Sequence, residues 1–128
     1  MKRLAILSIA LVLTGCASTR RQVARDLTVM NEPQEFSLHI GSVQNFSHRL
    51  TYSWENKGTR ATVRQAASLN DGVANLNIRD PGGLLVHSKT LREVGSFETF
   101  EGKPGIWKIH VTLDHASGSV TFEVRPKG

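Results

Sequence analysis

From Glu35 onward the apolar positions recur at every second residue. Phe36, Leu38 and Ile40 alternate with Ser37 and His39. Phe46, His48, Leu50, Tyr52 and Trp54 then share one face, with Ser47, Arg49, Thr51, Ser53 and Glu55 on the other. A period of two with one apolar and one polar face predicts half-buried β-strands. The pattern continues with Ala61, Val63 and Gln65, then with Ala74, Leu76 and Ile78. Short strands follow over 84–89 and 95–100. Trp107, Ile109, Val111 and Leu113 make another, and Val120, Phe122 and Val124 close the series. The breaks carry turn chemistry: Gly41-Ser42, Asn56-Lys57-Gly58, Asn70-Asp71-Gly72, Asp80-Pro81-Gly82-Gly83, Lys103-Pro104-Gly105 and Ala116-Ser117-Gly118. About eight short strands so punctuated predict an all-β fold, a single antiparallel β-sandwich of jelly-roll or Ig-like kind over 35–128.

The first 34 residues follow other rules. Met1-Lys2-Arg3 is basic, and Leu4–Leu13 is apolar except for Ser8. A basic start, a short apolar run and small residues behind it predict a secretory signal helix over 1–15. The run is about half the ~20 apolar residues of a membrane-spanning helix. Residues 16–34 read as a tether that ends in the break Asn31-Glu32-Pro33-Gln34. Within it Val23, Leu27 and Met30 have helical spacing, enough for one short helix.

Leu13-Thr14-Gly15-Cys16 resembles the lipobox of bacterial lipoproteins. That resemblance implies a diacylglyceryl group on the Cys16 thiol, cleavage between Gly15 and Cys16, and acylation of the new amine with a palmitate-type chain. Each buried methylene contributes roughly 0.8 kcal/mol and stable anchoring takes more than one chain, which a diacylglyceryl cysteine supplies. In the same family an aspartate behind the cysteine marks inner-membrane retention. Ala17 and Ser18 stand there instead, which implies the cell envelope as location, at an outer membrane facing the periplasm. The competing reading is an ordinary secreted protein with a cysteine at its cut site. Cys16 is the only cysteine, so no disulfide is expected in the domain.

Composition narrows the role only a little. Removal of 1–15 leaves 113 residues, one domain able to bury a core without metal or disulfides. The net charge of +5 falls to +3 without Lys2 and Arg3. Arg20, Arg21 and Arg25, beside the lipid, account for that excess. They would add about 1 kcal/mol each at an anionic membrane surface, or simply solvate the tether. The modest charge and the lack of a basic-aromatic motif argue against nucleic acid as a partner.

The order Leu76 to Val86, then Gly95-Ser96-Phe97, then Pro104 to Val111 is similar to jelly-roll-like accessory domains of the bacterial pre-peptidase C-terminal type. The likeness covers 73–124 and rests on turns and alternation. It implies the sandwich and an accessory or binding role, with no functional residue to carry over.

No catalytic residue is nominated. No serine lies in a Gly-x-Ser-x-Gly elbow, and Glu93, Glu98 and Glu101 read as a solvated edge rather than a glycosidase pair. His39, His48, His87, His110 and His115 show no metal-ligand spacing, and His48 reads as a core histidine. Tyr52, Trp54 and Trp107 lie in the apolar register, as core rather than a sugar-binding platform. The expectation is a non-catalytic, lipid-anchored module without metal or cofactor, held to the membrane through Cys16 and binding an envelope protein or glycan. Two alternatives stand beside it: a small envelope enzyme or enzyme subunit, and a periplasmic protein that binds metal through histidines.

Overall fold

The computed structural model describes residues 6–14 and 21–127, with side chains from Val23 onward. Every regular element in it is a strand: β1 (Ile6–Thr14), β2 (Arg21–Glu32), β3 (Glu35–Asn56), β4 (Arg60–Gln65), β5 (Ser68–Arg79), β6 (Leu85–Thr90), β7 (Gly95–Glu98) and β8 (Gly105–Lys127). All pairings are antiparallel. The sheet runs β1-β2-β3-β8-β4-β7, and β5 joins β8 on the same side as β4, followed by β6.

Two strands of 22 and 23 residues, β3 and β8, form the spine. Most strands in globular proteins have 3–10 residues. The sequence presents each of these two as a pair of short strands split by a turn. Gly41-Ser42 and Ala116-Ser117-Gly118 do not reverse the chain; they bend it. The β3–β8 register shifts three times between Ile40 and His48, and the β5–β8 register shifts on both sides of Asp71. The positive-φ residues Asp26, Asn45, Gly72, His115 and Gly118 fall at these places in four neighbouring strands. The shifts place an extra residue in β3 near Asn45 and in β8 near His115, bulges that sharpen the bend of each strand. Together they make a fold line across the sheet.

Along that line the sheet closes on itself as two layers. The first holds the second half of β2, the start of β3, the end of β8, and β4 and β7. The second holds the rest of β3 and β8 with β5 and β6. Phe36 and Tyr52 lie sixteen positions apart on one strand, yet their ring centroids are 5.2 Å apart. Only a folded strand allows that contact. One open side is drawn shut where Trp54 Nε1 donates to the Glu32 carbonyl at 2.7 Å and Asn31 Nδ2 to the Ser53 carbonyl at 2.8 Å. The other is drawn shut where the Phe100 N–H donates to the Val86 carbonyl at 2.9 Å. This is the sandwich expected from the alternation, built from one continuous bent sheet.

The core lies between the layers. Trp54 and Trp107 are fully buried, directly opposite each other in register, and meet edge to face at 6.2 Å. Phe36, Leu38, Ile40, Leu76, Ile78, Ile109, Phe122 and Val124 fill the space around them. Burying each such side chain contributes about 1.5–3 kcal/mol. Asp80 secures the β5–β6 turn: its Oδ1 accepts from the Leu84 N–H at 2.8 Å and its Oδ2 from the Lys103 N–H at 3.1 Å. Burial opposes the charge of Asp80, but backbone N–H groups of Leu84, Lys103 and Gly82 and the Lys103 ammonium outweigh it, holding the carboxyl below its ordinary pKa.

The N-terminal region departs from expectation. Residues 21–32, read as part of a tether with a short helix, are a strand paired with β3 from Val23↔Gln44 to Glu32↔Glu35. Val23, Ala24 and Val29 are buried in it. Asp26, with a φ of 60°, sits where the β1–β2 register shifts, while the β2–β3 register runs through unbroken. β2 thus shares the sheet and the core with β3. Ile6–Thr14, expected as helix, is extended and pairs with β2. The β-branched Ile6, Ile9, Val12 and Thr14 favour that conformation. The count of eight strands stands, but two of them are these N-terminal ones, and four expected short strands merge into β3 and β8.

Candidate functional site

Beyond Gln44, β3 leaves β2 and runs on for twelve residues with β8 on one side. Among the described residues no strand pairs with its other side. Beneath that free edge lies an apolar cleft of about 270 Å³. Ala24 and Leu27 of β2 and Ile40, Phe46, His48, Arg49 and Leu50 of β3 line it. The fold line creates the opening: Leu27 and Ile40 stand on one layer, Phe46 and Leu50 on the other. Phe46 is buried at the base, while Leu27 and Leu50 are only partly covered.

His48 marks the mouth of this cleft. Its place in the apolar register suggested a core histidine, but the side chain is exposed and rests against the Phe46 ring at 5.0 Å. The register holds; the layer above it ends before His48 can be covered.

The remaining histidines are scattered over different partners. His39 Nδ1 meets Thr121 Oγ1 at 2.8 Å, His110 Nδ1 meets Thr51 Oγ1 at 3.2 Å, and His115 Nδ1 meets Asp114 Oδ1 at 2.7 Å. His87 is buried and donates through Nε2 to Gln65 Oε1 at 3.0 Å. Burial first, and the Lys89 charge second, push its pKa down to about 4. Among the described residues no three histidine, cysteine or carboxylate side chains gather as a metal would need.

The three glutamates weighed for glycoside chemistry are each paired at the surface. Glu98 meets Lys127 at 3.0 Å and Arg60 at 3.8 Å, Glu101 meets Arg60 at 3.7 Å, and Glu93 meets Lys89 at 3.8 Å. The Lys127 ammonium, by hydrogen bond and by charge, holds Glu98 below the usual carboxylate range. Both tryptophans point inward, with Trp107 Nε1 donating to the Lys103 carbonyl at 2.7 Å. They are unavailable as a sugar platform.

Gly15 and Cys16 lie outside the described residues, as does the rest of 15–20. The cleft itself was missed in the sequence. Half its wall comes from Ala24 and Leu27, which read as tether, and the free edge of β3 depends on where β2 stops. No protein-family model matches the chain, and no curated protein matches it.

Proposed function

We propose that the protein is a lipid-anchored, non-catalytic module of the bacterial cell envelope that captures a partner protein by its extended backbone and an apolar side chain. The observation that carries this reading is the free edge of β3 directly above the apolar cleft. An unpaired edge offers backbone N–H and C=O groups to an added strand. A pocket beside it selects the side chain that such a strand presents. The lining is aliphatic and aromatic with one histidine and one arginine, and the tryptophans are buried, which favours a protein over a glycan.

The anchor rests on Leu13-Thr14-Gly15-Cys16 and on Cys16 being the only cysteine. Cleavage before Cys16 would remove β1 and leave β2 as the outer strand of the first layer. The acylated Cys16 would then hold the sandwich at the membrane, on the outer-membrane side that Ala17 and Ser18 suggest.

Photocrosslinking tests the binding reading. A photoreactive residue at His48 in intact cells should give a discrete protein adduct that Leu50→Asp abolishes. No adduct, or the same adducts from a probe at Lys127, would overturn it. Labelled palmitate should mark the wild type and not Cys16→Ala; equal labelling would refute the anchor.

A further inference from the structure

We propose that the outer face of the second layer binds a phosphate group, in a shallow recess lined by Arg49, Asn77, Arg79, His110 and Thr112. This site is separate from the cleft and does not depend on the reading given to it. The cleft lies between the layers and the recess lies outside them; Arg49 borders both.

The register assembles the recess. Across β3, β8 and β5 it aligns Arg49 with Thr112 and Asn75, Thr51 with His110 and Asn77, and Ser53 with Lys108 and Arg79. Side chains on one face of neighbouring strands stand side by side. The result is a patch of hydroxyl, amide, imidazole and cationic groups around a space of about 200 Å³.

Its charge is unbalanced. Arg79 and Lys108 are directly opposite each other on adjacent strands, an arrangement of like charges that destabilises a sheet. Among the described residues no carboxylate lies within 4.0 Å of Arg49, Arg79 or Lys108. Glu55 and Asp114 bound the patch at its two ends, and Asp114 is held by His115 Nδ1 at 2.7 Å. The far end of the molecule is different: Arg60, Arg64, Arg125 and Lys127 each have a glutamate partner. An anion seated in the recess beside Arg79 would relieve its repulsion with Lys108.

The donors are already positioned. Arg79 Nη1 is tied to the Gly83 carbonyl at 2.9 Å, and its other nitrogens have no protein partner among the described residues. Lys108 Nζ is tied to Ser53 Oγ at 2.7 Å. The Ser88 hydroxyl donates to Asn77 Oδ1 at 2.7 Å, so the Asn77 amide group keeps its N–H donors for a ligand. Thr51 occupies His110 Nδ1, and Nε2 has no protein partner among the described residues. Several fixed donors and two guanidinium groups suit a tetrahedral oxyanion with charge on several oxygens, which takes bidentate contacts from arginine. A single carboxylate would use only one fork.

The phosphate could belong to a lipid headgroup or to a free phosphate ester, and two probes separate them. The full chain in neutral detergent is titrated with inorganic phosphate and, separately, with short-chain phosphatidylglycerol, following backbone amide shifts by NMR. Either probe should give saturable shifts at Thr51, Asn77, His110 and Thr112. The stronger probe identifies the source, headgroup or free phosphate. Arg49→Gln with Arg79→Gln should weaken binding at least about tenfold while leaving the remaining amide spectrum in place. Lys127→Gln, at the far end, should leave affinity unchanged. Failure of both probes to saturate, or equal weakening by Lys127→Gln, would overturn the site.

Discussion

Gln65 and His87 connect the two layers at the side where β4 faces β6. The Gln65 amide donates to the Thr90 carbonyl at 3.2 Å and to the Glu93 carbonyl at 2.7 Å, and its Oε1 accepts from His87. Each polar atom of this buried glutamine is thereby satisfied, which is the condition for a core to tolerate it. The bridge requires a neutral His87. With a folded pKa of about 4 against 6.5 in the unfolded chain, the unfolded chain binds the proton first as pH falls. This contribution is complete above pH 6.5 and is lost progressively as pH drops from 6.5 toward 4. Between pH 7 and pH 5 it amounts to about 2 kcal/mol. Urea unfolding of wild type and His87→Gln at those two pH values checks this. Glutamine keeps a donor toward Gln65 without titrating, so the variant should lose about 2 kcal/mol less than wild type over that range. Parallel losses would show that His87 does not titrate with folding.

At the scale of elements, the fold line decides the architecture, and glycine makes it possible. Gly118 has a φ of 137°, and a Cβ there would collide with the Ser68 carbonyl of the neighbouring strand. Gly83 also has a positive φ, 89°, but has open space around it. Alanine at Gly83 should cost about 1 kcal/mol of backbone strain alone. Alanine at Gly118 adds a backbone clash and should cost more than about 2 kcal/mol. Chemical denaturation of the two variants tests this, and equal losses would show that no close approach exists at the bend. The same residues explain what the sequence concealed. Alternation put Phe36, Leu38, Ile40, Trp54, Val63, Leu76, Ile78, Trp107, Ile109, Phe122 and Val124 on buried faces, where they lie, but His48 in the same register is exposed. Asn70-Asp71-Gly72 and Ala116-Ser117-Gly118 look identical whether the chain reverses or merely bends. The difference lies in whether a partner strand continues alongside, and that is a property of pairing, not of local residues. Val23 to Met30 hides its strand because Val23 and Ala24 are both buried, so the alternation breaks beside the positive-φ Asp26. The cleft, framed by Ala24, Leu27 and Leu50, inherits that ambiguity.

For the whole molecule, the proposed maturation at Cys16 makes a demand on the fold. It would remove β1, so the sandwich must stand without that strand. The pairing supports this, since among the described residues β1 pairs with β2 alone, at the margin of the sheet. The core cluster of described residues draws on β2, β3, β4, β5, β6 and β8, with Ala67 and Leu91 between strands. Loss of β1 would expose the outer edge of β2, and Arg25 and Asp26, both exposed, lie along it. Charged residues on an edge strand resist pairing with other copies of the chain. A chain lacking residues 1–15, with serine replacing Cys16, should therefore unfold cooperatively and remain monomeric. Its near-ultraviolet circular dichroism should keep the bands of the buried Trp54–Trp107 pair, because both rings lie far along the sheet from β1. Light scattering and thermal melts provide the measurement. A molten or aggregated product would mean that β1 is integral to the domain, and a signal sequence that is cut away could not supply it.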